Sequence, residues 1–168
     1  MPGQLINLGI SLECRFKHTG DISDVSEAIS VQQQAVQLTP NGHASMTGFL
    51  NNLGISFRCR FECTGDVSDI SEAISVQKQA VQLTPNGHAS MPAFLNNLGN
   101  SFLGRFERTG DVSDVSEAIS VQHRAVQLTP NGHADMPGRL NTLGISFQCR
   151  FKGTGDVSDV SEAISVQQ

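Results

Sequence analysis

The sequence predicts an all-α protein, a right-handed α-solenoid built from stacked antiparallel helix pairs. Three observations predict it: a 45-residue period in the 168-residue chain, two apolar blocks in each period, and helical spacing within both blocks. The segment Leu-Thr-Pro-Asn-Gly-His-Ala at residues 38–44 returns at 83–89 and again at 128–134. We therefore expect a single array of four repeats, the last of them truncated. Their boundaries are residues 1–45, 46–90, 91–135 and 136–168.

The first block of each repeat predicts a helix, here called helix A. In the second repeat it runs from about residue 45 or 46 to 62, and its apolar residues recur at spacings of three and four. This stripe consists of Leu50, Leu53, Phe57 and Phe61. Pro92 and Pro137 fall in the first turn, where a missing N–H is tolerated, and Thr64-Gly65 predicts the end of the helix. The residues expected to cap the N-termini of the A helices are Ser45, Ser90 and Asp135.

The second block predicts helix B. Asp69, followed by Glu72 three residues later, resembles a capping box and predicts the start of this helix. The Pro-Asn-Gly sequence at 85–87 predicts its end and a turn. The broad apolar face between them comprises Ile70, Ala73, Ile74, Ala80, Val81 and Leu83.

A β-propeller is the alternative architecture. Residues 74–77 alternate β-branched and polar side chains, and a 45-residue period also suits a blade of four strands. However, each period holds only two apolar blocks, and no Trp-Asp signature occurs. Helix pairs are therefore favoured.

The helix pairs resemble tetratricopeptide repeats, whose pattern is W-x2-L-G-x2-Y, then A-x3-F, then P. The matching residues of the second repeat are Leu50, Leu53, Gly54, Phe57, Ala73 and Pro85. Gln77 stands where this family prefers Phe, which predicts a weaker contact at that position. The 45-residue form is similar to the repeats of fungal proteins that often carry a caspase-like CHAT protease domain. The chain contains no such protease segment, so the resemblance implies no protease activity here.

A glycine in the middle of each A helix needs a packing explanation, because glycine costs about 1 kcal/mol relative to alanine there. We expect each glycine to face a small residue of helix B, so that the two helices approach closely. The expected pairs are Gly9 with Ala28, Gly54 with Ala73, Gly99 with Ala118, and Gly144 with Ala163.

Polar side chains beside the helix A stripe are the candidate binding residues. The resemblance implies a concave surface lined by A helices, and Asn7, Asn52 and Asn97 are similar to the asparagine ladder with which some tetratricopeptide proteins hold peptides. Amide side chains can donate to and accept from a peptide backbone of any sequence. Alternatively, these amides cap turns or face water. The full candidate set is Asn7, Asn51, Asn52, Asn96, Asn97, Asn141 and Arg58.

One position of helix A changes its charge between repeats, which predicts an accessible site. Its occupants are Glu13, Arg58, Leu103 and Gln148. A groove that clamps a carboxylate needs several basic residues together, and Arg58 stands nearly alone. An acidic C-terminal peptide is therefore not the expected ligand.

Composition and motif spacing argue against several function classes. Eleven basic against sixteen acidic residues, a net charge of −5, do not favour nucleic acid, and no apolar run is long enough for a membrane span. The N-terminal sequence lacks the features of a signal peptide, so we expect a cytoplasmic protein. The four cysteines are expected to be thiols. A zinc site of Cys14, His18, Cys59 and Cys63 is conceivable, but small residues filling a helix contact explain these positions better.

No enzyme activity and no cofactor are expected. His43, His88 and His133 occur once per repeat in the Asn-Gly-His turn and are interpreted as loop-packing residues. The predicted function is therefore a non-enzymatic scaffold that binds a protein or peptide on its concave face. Two alternatives stay open: a structural module that self-associates through its uncapped C-terminal repeat, and the repeat fragment of a larger protein with a separate effector domain.

Overall fold

The computed structural model describes residues 1–168 and confirms the all-α prediction. Its eight helices are α1 (Pro2–Thr19), α2 (Ile22–Leu38), α3 (Met46–Thr64), α4 (Val67–Leu83), α5 (Met91–Thr109), α6 (Val112–Leu128), α7 (Met136–Thr154) and α8 (Val157–Gln167). None of these helices is both long and apolar enough to span a membrane. Odd-numbered helices are the A helices of the sequence, and even-numbered helices are the B helices.

The chain divides into two compact units, unit 1 (Met1–Thr84) and unit 2 (Pro85–Gln168). Each unit contains two helix pairs. In unit 1, α1 packs on α2, α3 packs on α4, and α2 and α3 join the two pairs. Unit 2 repeats this arrangement with α5 to α8, its pairs joined by α6 and α7. The single array of four repeats stays a prediction.

Helix A starts and ends where the sequence predicts, but its start is capped differently. Gly65 follows α3 in the left-handed conformation, with φ 70°, and its N–H donates to the Phe61 carbonyl at 2.7 Å. Ser45 does precede α3, but its side chain makes no capping hydrogen bond, and the same is true before α5 and α7. Ser45, Ser90 and Asp135 therefore occupy the predicted N-cap positions, but the expected capping by their side chains is not found.

The histidine of the preceding turn organises this segment instead. His43 Nδ1 accepts the backbone N–H of Ser45 at 3.1 Å. The same bond joins His88 to Ser90 at 3.1 Å, and His133 to Asp135 at 3.2 Å. These histidines were predicted to pack in the loops; more specifically, each one fixes the turn that leads into an A helix.

Helix B starts three residues earlier than predicted. Asp66, not Asp69, is the N-cap of α4, with an extended backbone (φ −72°, ψ 110°) and a carboxylate that accepts the Ser68 N–H at 2.9 Å. The equivalent caps are Asp21, Asp111 and Asp156. The capping box proposed for Asp69 and Glu72 is therefore wrong. The chain turns at the left-handed Gly65, and the next residue, Asp66, has the extended backbone of an N-cap, so the helix begins before Asp69.

Asp69 has a different role, since it joins helix B to helix A. Arg60 donates to its two carboxylate oxygens from Nε at 2.8 Å and from a terminal nitrogen at 2.6 Å. The guanidinium carbon also lies 5.9 Å from the centre of the Phe57 ring. The hydrogen bonds from Arg60 to Asp69 raise the pKa of Arg60. The same ion pair recurs as Arg15 with Asp24, Arg105 with Asp114, and Arg150 with Asp159.

The mid-helix glycines lie closest to glutamine side chains. A Cβ at Gly99 would stand 2.5 Å from Gln122 Cγ, and in all four repeats the nearest atoms belong to this glutamine. The residues concerned are Gln32, Gln77, Gln122 and Gln167. The alanines expected at these positions are not among the three nearest atoms. The long glutamine side chain crosses the backbone of helix A. Gln77, which was expected to make a weak contact, therefore packs closely against Gly54.

The predicted core is otherwise correct. Leu50, Leu53, Phe57 and Phe61 are all buried. In unit 1 the last three of them pack in one cluster with Ile29, Ile70 and Ala73. Leu83 was assigned to the apolar face of helix B, but it lies in the last turn before Thr84 and is 52% exposed.

Candidate functional site

A buried polar layer connects the helix pairs of unit 1. Gln32 of α2 is fully buried, and its amide nitrogen donates to Glu13 Oε1 at 2.9 Å. The Ser56 hydroxyl, on the A helix of the next pair, shares its single proton between Gln32 Oε1, at 2.7 Å, and Glu13 Oε1. A single glutamine therefore contacts the A helices on both sides of it.

Unit 2 builds the same layer with a different acceptor. The Ser146 hydroxyl donates to Gln122 Oε1 at 2.7 Å, but the Gln122 amide nitrogen lies 3.4 Å from Asn100 Oδ1. Leu103 occupies the place of Glu13, and Asn100 stands one turn earlier. The prediction that Glu13 and Leu103 are accessible is wrong, since both are buried. The charge of Glu13 is tolerated because Gln32 and Ser56 hydrogen-bond it.

An open groove of about 470 Å³ lies between the A helices of unit 2, α5 and α7. Small residues, Ala93 and Gly138, leave space between the helices at this point. The groove is lined by Ala93, Asn96, Asn97, Ala134, Asp135, Gly138, Arg139 and Thr142. Thr142 stands at the repeat position of Asn97, and its hydroxyl donates to the Gly138 carbonyl at 2.8 Å.

The structure brings together only part of the predicted binding set. Asn96 and Asn97 are half-buried and line the groove of unit 2. Asn96 Oδ1 is buried and accepts no hydrogen bond, a costly state for a polar atom. In unit 1, Asn7 is exposed, Asn52 is half-buried and Asn51 is buried; in unit 2, Asn141 is exposed and lies outside the groove.

Arg58, the basic member of the predicted set, lies in unit 1. It is half-buried and pairs with Glu62, one turn further along α3. Its Nε is buried without a hydrogen-bond partner. The positive charge of Arg58 is thus already shared with a neighbouring carboxylate.

Sequence reasoning missed the ion pair that forms one wall of the groove. Arg139 is only 8% exposed, and it donates to Asp135 Oδ2 at 2.9 Å and to the Thr129 hydroxyl. The side chain of Asp135 itself is 60% exposed. A signal was present in the sequence: Asp135 and Arg139 stand 45 residues after Ser90 and Phe94, so both positions become charged together.

A second cavity of about 480 Å³ opens beside the loops of unit 2 and shares Ala93, Asp135 and Arg139 with the groove. We call it the loop pocket. Its apolar lining includes Met91, Pro92, Leu128 and Pro130. His88 and His133 also line it, each with Nδ1 bonded to the backbone of its own turn. The loop pocket and the groove are therefore two neighbouring parts of one surface.

The cysteines form no cluster with a metal-binding arrangement. Cys14 and Cys63 are exposed, Cys59 is buried, and all the cysteines are free thiols. Burial raises the pKa of Cys59. No group of three or more His, Cys, Asp or Glu side chains could hold a metal ion, so the conceivable set of Cys14, His18, Cys59 and Cys63 is not assembled.

No family model and no curated protein matches the chain. Among solved structures, the "DHF58 filament" matches with a TM-score of 0.62 and 11% identity, over 99% of this chain and 89% of that chain. The chain has the fold of a helical-repeat protein. This likeness concerns the fold alone.

Two further solved structures are more distant. The "Podosopora anserina putative kinesin light chain nearly identical TPR-like repeats" are 14% identical, with a TM-score of 0.48, over 99% of this chain and 96% of that chain. A de novo designed helical repeat protein is 12% identical, with a TM-score of 0.43, over 99% and 89% of the two chains. The eight paired helices and the likeness to this structure confirm the predicted all-α fold of stacked helix pairs.

Proposed function

We propose that this helical-repeat protein is a non-enzymatic scaffold that binds an extended peptide segment of another protein. The observation that carries the proposal is the groove between α5 and α7, where two amide side chains, Asn96 and Asn97, stand beside an open volume of about 470 Å³. Amide groups can bond both N–H and C=O groups of a peptide backbone. Such a contact depends on an extended backbone rather than on one particular ligand sequence.

Asn96 is the residue of the groove to which a ligand could supply a missing hydrogen bond. Its Oδ1 is buried and accepts no hydrogen bond. A modest rotation of the side chain toward the groove would let this oxygen accept a peptide N–H. The bond would remove the cost of an unsatisfied polar atom, which is about 1 to 3 kcal/mol.

The loop pocket supplies a place for one apolar side chain of the same peptide. The buried Met91 lines it together with Leu128 and Pro130. Asp135 and Arg139 line both the groove and the loop pocket. A peptide that crosses these two residues would place its backbone in the groove and one apolar side chain in the loop pocket. Pockets of this kind supply most of the binding energy of peptide anchors.

The charges of this surface favour a neutral or basic peptide. Arg139 is already bonded to Asp135, while the carboxylate of Asp135 is mainly exposed to solvent. A ligand carboxylate would have to displace Asp135 from Arg139, whereas a ligand Lys or Arg would meet a free side of Asp135. The exposed thiols of Cys14 and Cys63 favour a reducing compartment, and we propose that the protein acts in the cytoplasm.

A random peptide library displayed on phage, selected against the full chain, tests the proposal. Selected peptides should share an apolar anchor, and their affinity, measured by titration calorimetry, should fall at least about tenfold with Asn96→Ala or Asn97→Ala. Asn141→Ala is the matched control, since Asn141 is an exposed asparagine of α7 outside the groove. Equal affinity for all three variants would refute the groove as the binding site.

A further inference from the structure

Helix α1 exposes side chains whose counterparts in α3 and α7 are buried. Leu8 is 44% exposed, whereas Leu53 is 4% exposed and Leu143 is fully buried. Ser11 is likewise exposed, and its hydroxyl donates to the Asn7 carbonyl of its own helix at 3.0 Å. The corresponding serines, Ser56 and Ser146, are fully buried. We call the exposed side of α1 that carries Leu8, Ser11 and Cys14 the α1 face.

Helix α8 shows the complementary difference. Ile164 is 53% exposed, whereas its counterparts Ile29 of α2 and Ile119 of α6 are 3% and 8% exposed. Gln167 is exposed, whereas Gln32 and Gln122 are fully buried. We call this side of α8, with Ile164 and Gln167, the α8 face.

The junctions inside each unit show what covers such faces. In unit 1, Ile29 of α2 packs in one cluster with Leu53 and Phe57 of α3. The Ser56 hydroxyl of α3 then donates to Gln32 Oε1. In unit 2, Ser146 of α7 makes the same bond to Gln122 of α6. Helix α2 is therefore covered by the A helix that follows it, through one apolar contact and one polar contact, and α6 makes the same polar contact with α7.

The α8 face already holds its part of this junction in place. The Gln167 side chain lies over Gly144, as Gln32 lies over Gly9 and Gln122 over Gly99. Its carboxamide is thus positioned where the other two accept a serine hydroxyl. On the α1 face, Ser11 is the serine at that repeat position, and Leu8 is the leucine that would meet Ile164.

We propose that two copies of this chain associate head to tail, the α1 face of one copy packing on the α8 face of the other. Leu8 contacts Ile164, and the Ser11 hydroxyl donates to Gln167 Oε1. The occupant is a second copy because the two faces carry the residues that already pack together at the junctions between α2 and α3 and between α6 and α7. The proposed contact joins two separate chains through one apolar and one polar contact, so association depends on concentration.

Two variants, each blocking one face, test both the association and its polarity. Leu8→Asp places a charge on the α1 face and Ile164→Asp places one on the α8 face. Each variant alone should be monomeric by sedimentation and light scattering from micromolar to millimolar concentration. The average molar mass of the unsubstituted chain should rise over the same concentration range. An equimolar mixture should form a one-to-one complex, because each variant keeps one intact face. Leu38→Asp, at an exposed leucine outside both faces, should associate like the unsubstituted chain.

Other results would overturn the proposal. An unsubstituted chain that stays monomeric up to millimolar concentration excludes the contact. Dimers of Leu8→Asp alone would mean that two α8 faces meet, and dimers of Ile164→Asp alone would mean that two α1 faces meet. A mixture without the one-to-one complex also contradicts head-to-tail packing. Circular dichroism of each variant confirms that its helices are intact.

A measurement on the unsubstituted chain keeps the proposal testable should a variant fail to fold. Cys14 is exposed, but its counterpart Cys59 is buried in the junction against Phe16 and Val25. Alkylation of Cys14, followed by mass spectrometry, should therefore slow as concentration rises, while Cys63 keeps its rate. An unchanged Cys14 rate contradicts the proposal. Ser11→Ala should weaken association about fivefold, the effect of one lost hydrogen bond.

Discussion

Gly9 lies directly beneath the side chain of Gln32: a methyl group at Gly9 would stand 2.7 Å from Gln32 Cγ. The glycine is thus not a flexible point but the space that a buried glutamine needs. Because Gln32 also bonds Glu13 of its own pair and Ser56 of the next, this one side chain sets the spacing within a pair and the register between pairs. Any groove between neighbouring A helices depends on that spacing.

The buried glutamine amide should be satisfied by either of the two acceptors found in the repeats, a glutamate at the position of Glu13 or an asparagine at the position of Asn100. Glu13→Leu, which copies Leu103, removes the acceptor of a buried amide and should lower the free energy of unfolding by about 2 kcal/mol. Adding Ile10→Asn, which copies Asn100, returns an acceptor and should recover about 1 kcal/mol. Urea unfolding followed by circular dichroism measures both changes.

Ile10→Asn alone is the control for this pair of substitutions. Ile10 is 41% exposed, so the single substitution should change the free energy of unfolding by no more than about 0.5 kcal/mol. If the double variant is no more stable than Glu13→Leu, Asn100 and Glu13 are not equivalent acceptors, and the interpretation of this layer is wrong.

The ion pair between Arg60 and Asp69 should respond asymmetrically to removal of its partners. Asp69 is buried, so Arg60→Ala leaves a carboxylate without its counter-charge and should cost about 3 kcal/mol. Asp69→Ala leaves an arginine that can turn toward water and should cost about 1.5 kcal/mol. Urea unfolding of both variants checks the order. Arg124→Ala, at an exposed arginine of α6, should change stability by less than about 0.5 kcal/mol. Equal losses at Arg60 and Asp69 would contradict the predicted asymmetry, and losses as small as that of Arg124→Ala would argue against the pair.

The N-caps of the B helices should make stability depend on pH in acid. Hydrogen bonds from the Ser68 backbone and hydroxyl lower the pKa of Asp66, and equivalent bonds lower the pKa of Asp21, Asp111 and Asp156. A pKa that is lower in the folded state gives stability that is present above the unfolded pKa of about 3.9 and is lost as pH falls through the folded value. Replacing all four by Asn keeps an acceptor but removes the titration. The decrease in Tm between about pH 5 and pH 3 should therefore be smaller in this variant, and identical pH profiles would contradict the assignment.

Helix content and the apolar core could be predicted from the sequence because both follow from periodic spacing. The helical period alone predicts that the stripe from Leu50 to Phe61 is buried. The preference of glycine for a left-handed backbone alone predicts that the helix ends at Gly65. The bond between Arg60 and Asp69 could not be found in this way, since it joins two helices across a turn at a separation of nine residues. Asp66 and Asp69 both precede an apolar run, so composition alone could not decide which of them is the cap.

The candidate site was predicted only in part for a similar reason. Asn96 and Asn97 were found because amides beside an apolar stripe are conspicuous, and both line the groove. Glu13 was misplaced because a buried charge needs a partner, and Gln32, its partner, lies on another helix. Arg139 was missed although it changes together with Asp135, because four copies of one repeat are too few to separate a paired change from drift.

The contact between glycine and glutamine is tested most directly by the unfolding free energy of Gly9→Ala, compared with that of Gly48→Ala. Both glycines are helical, and alanine is favoured over glycine by about 1 kcal/mol in a helix interior such as Gly9 and by less in a first turn such as Gly48. Gly48 has no atom within 4 Å of an added Cβ, so Gly48→Ala should be stabilising. Gly9→Ala should instead lose about 1 to 3 kcal/mol, because the added methyl group displaces the buried Gln32. Stabilisation by both substitutions would contradict the account.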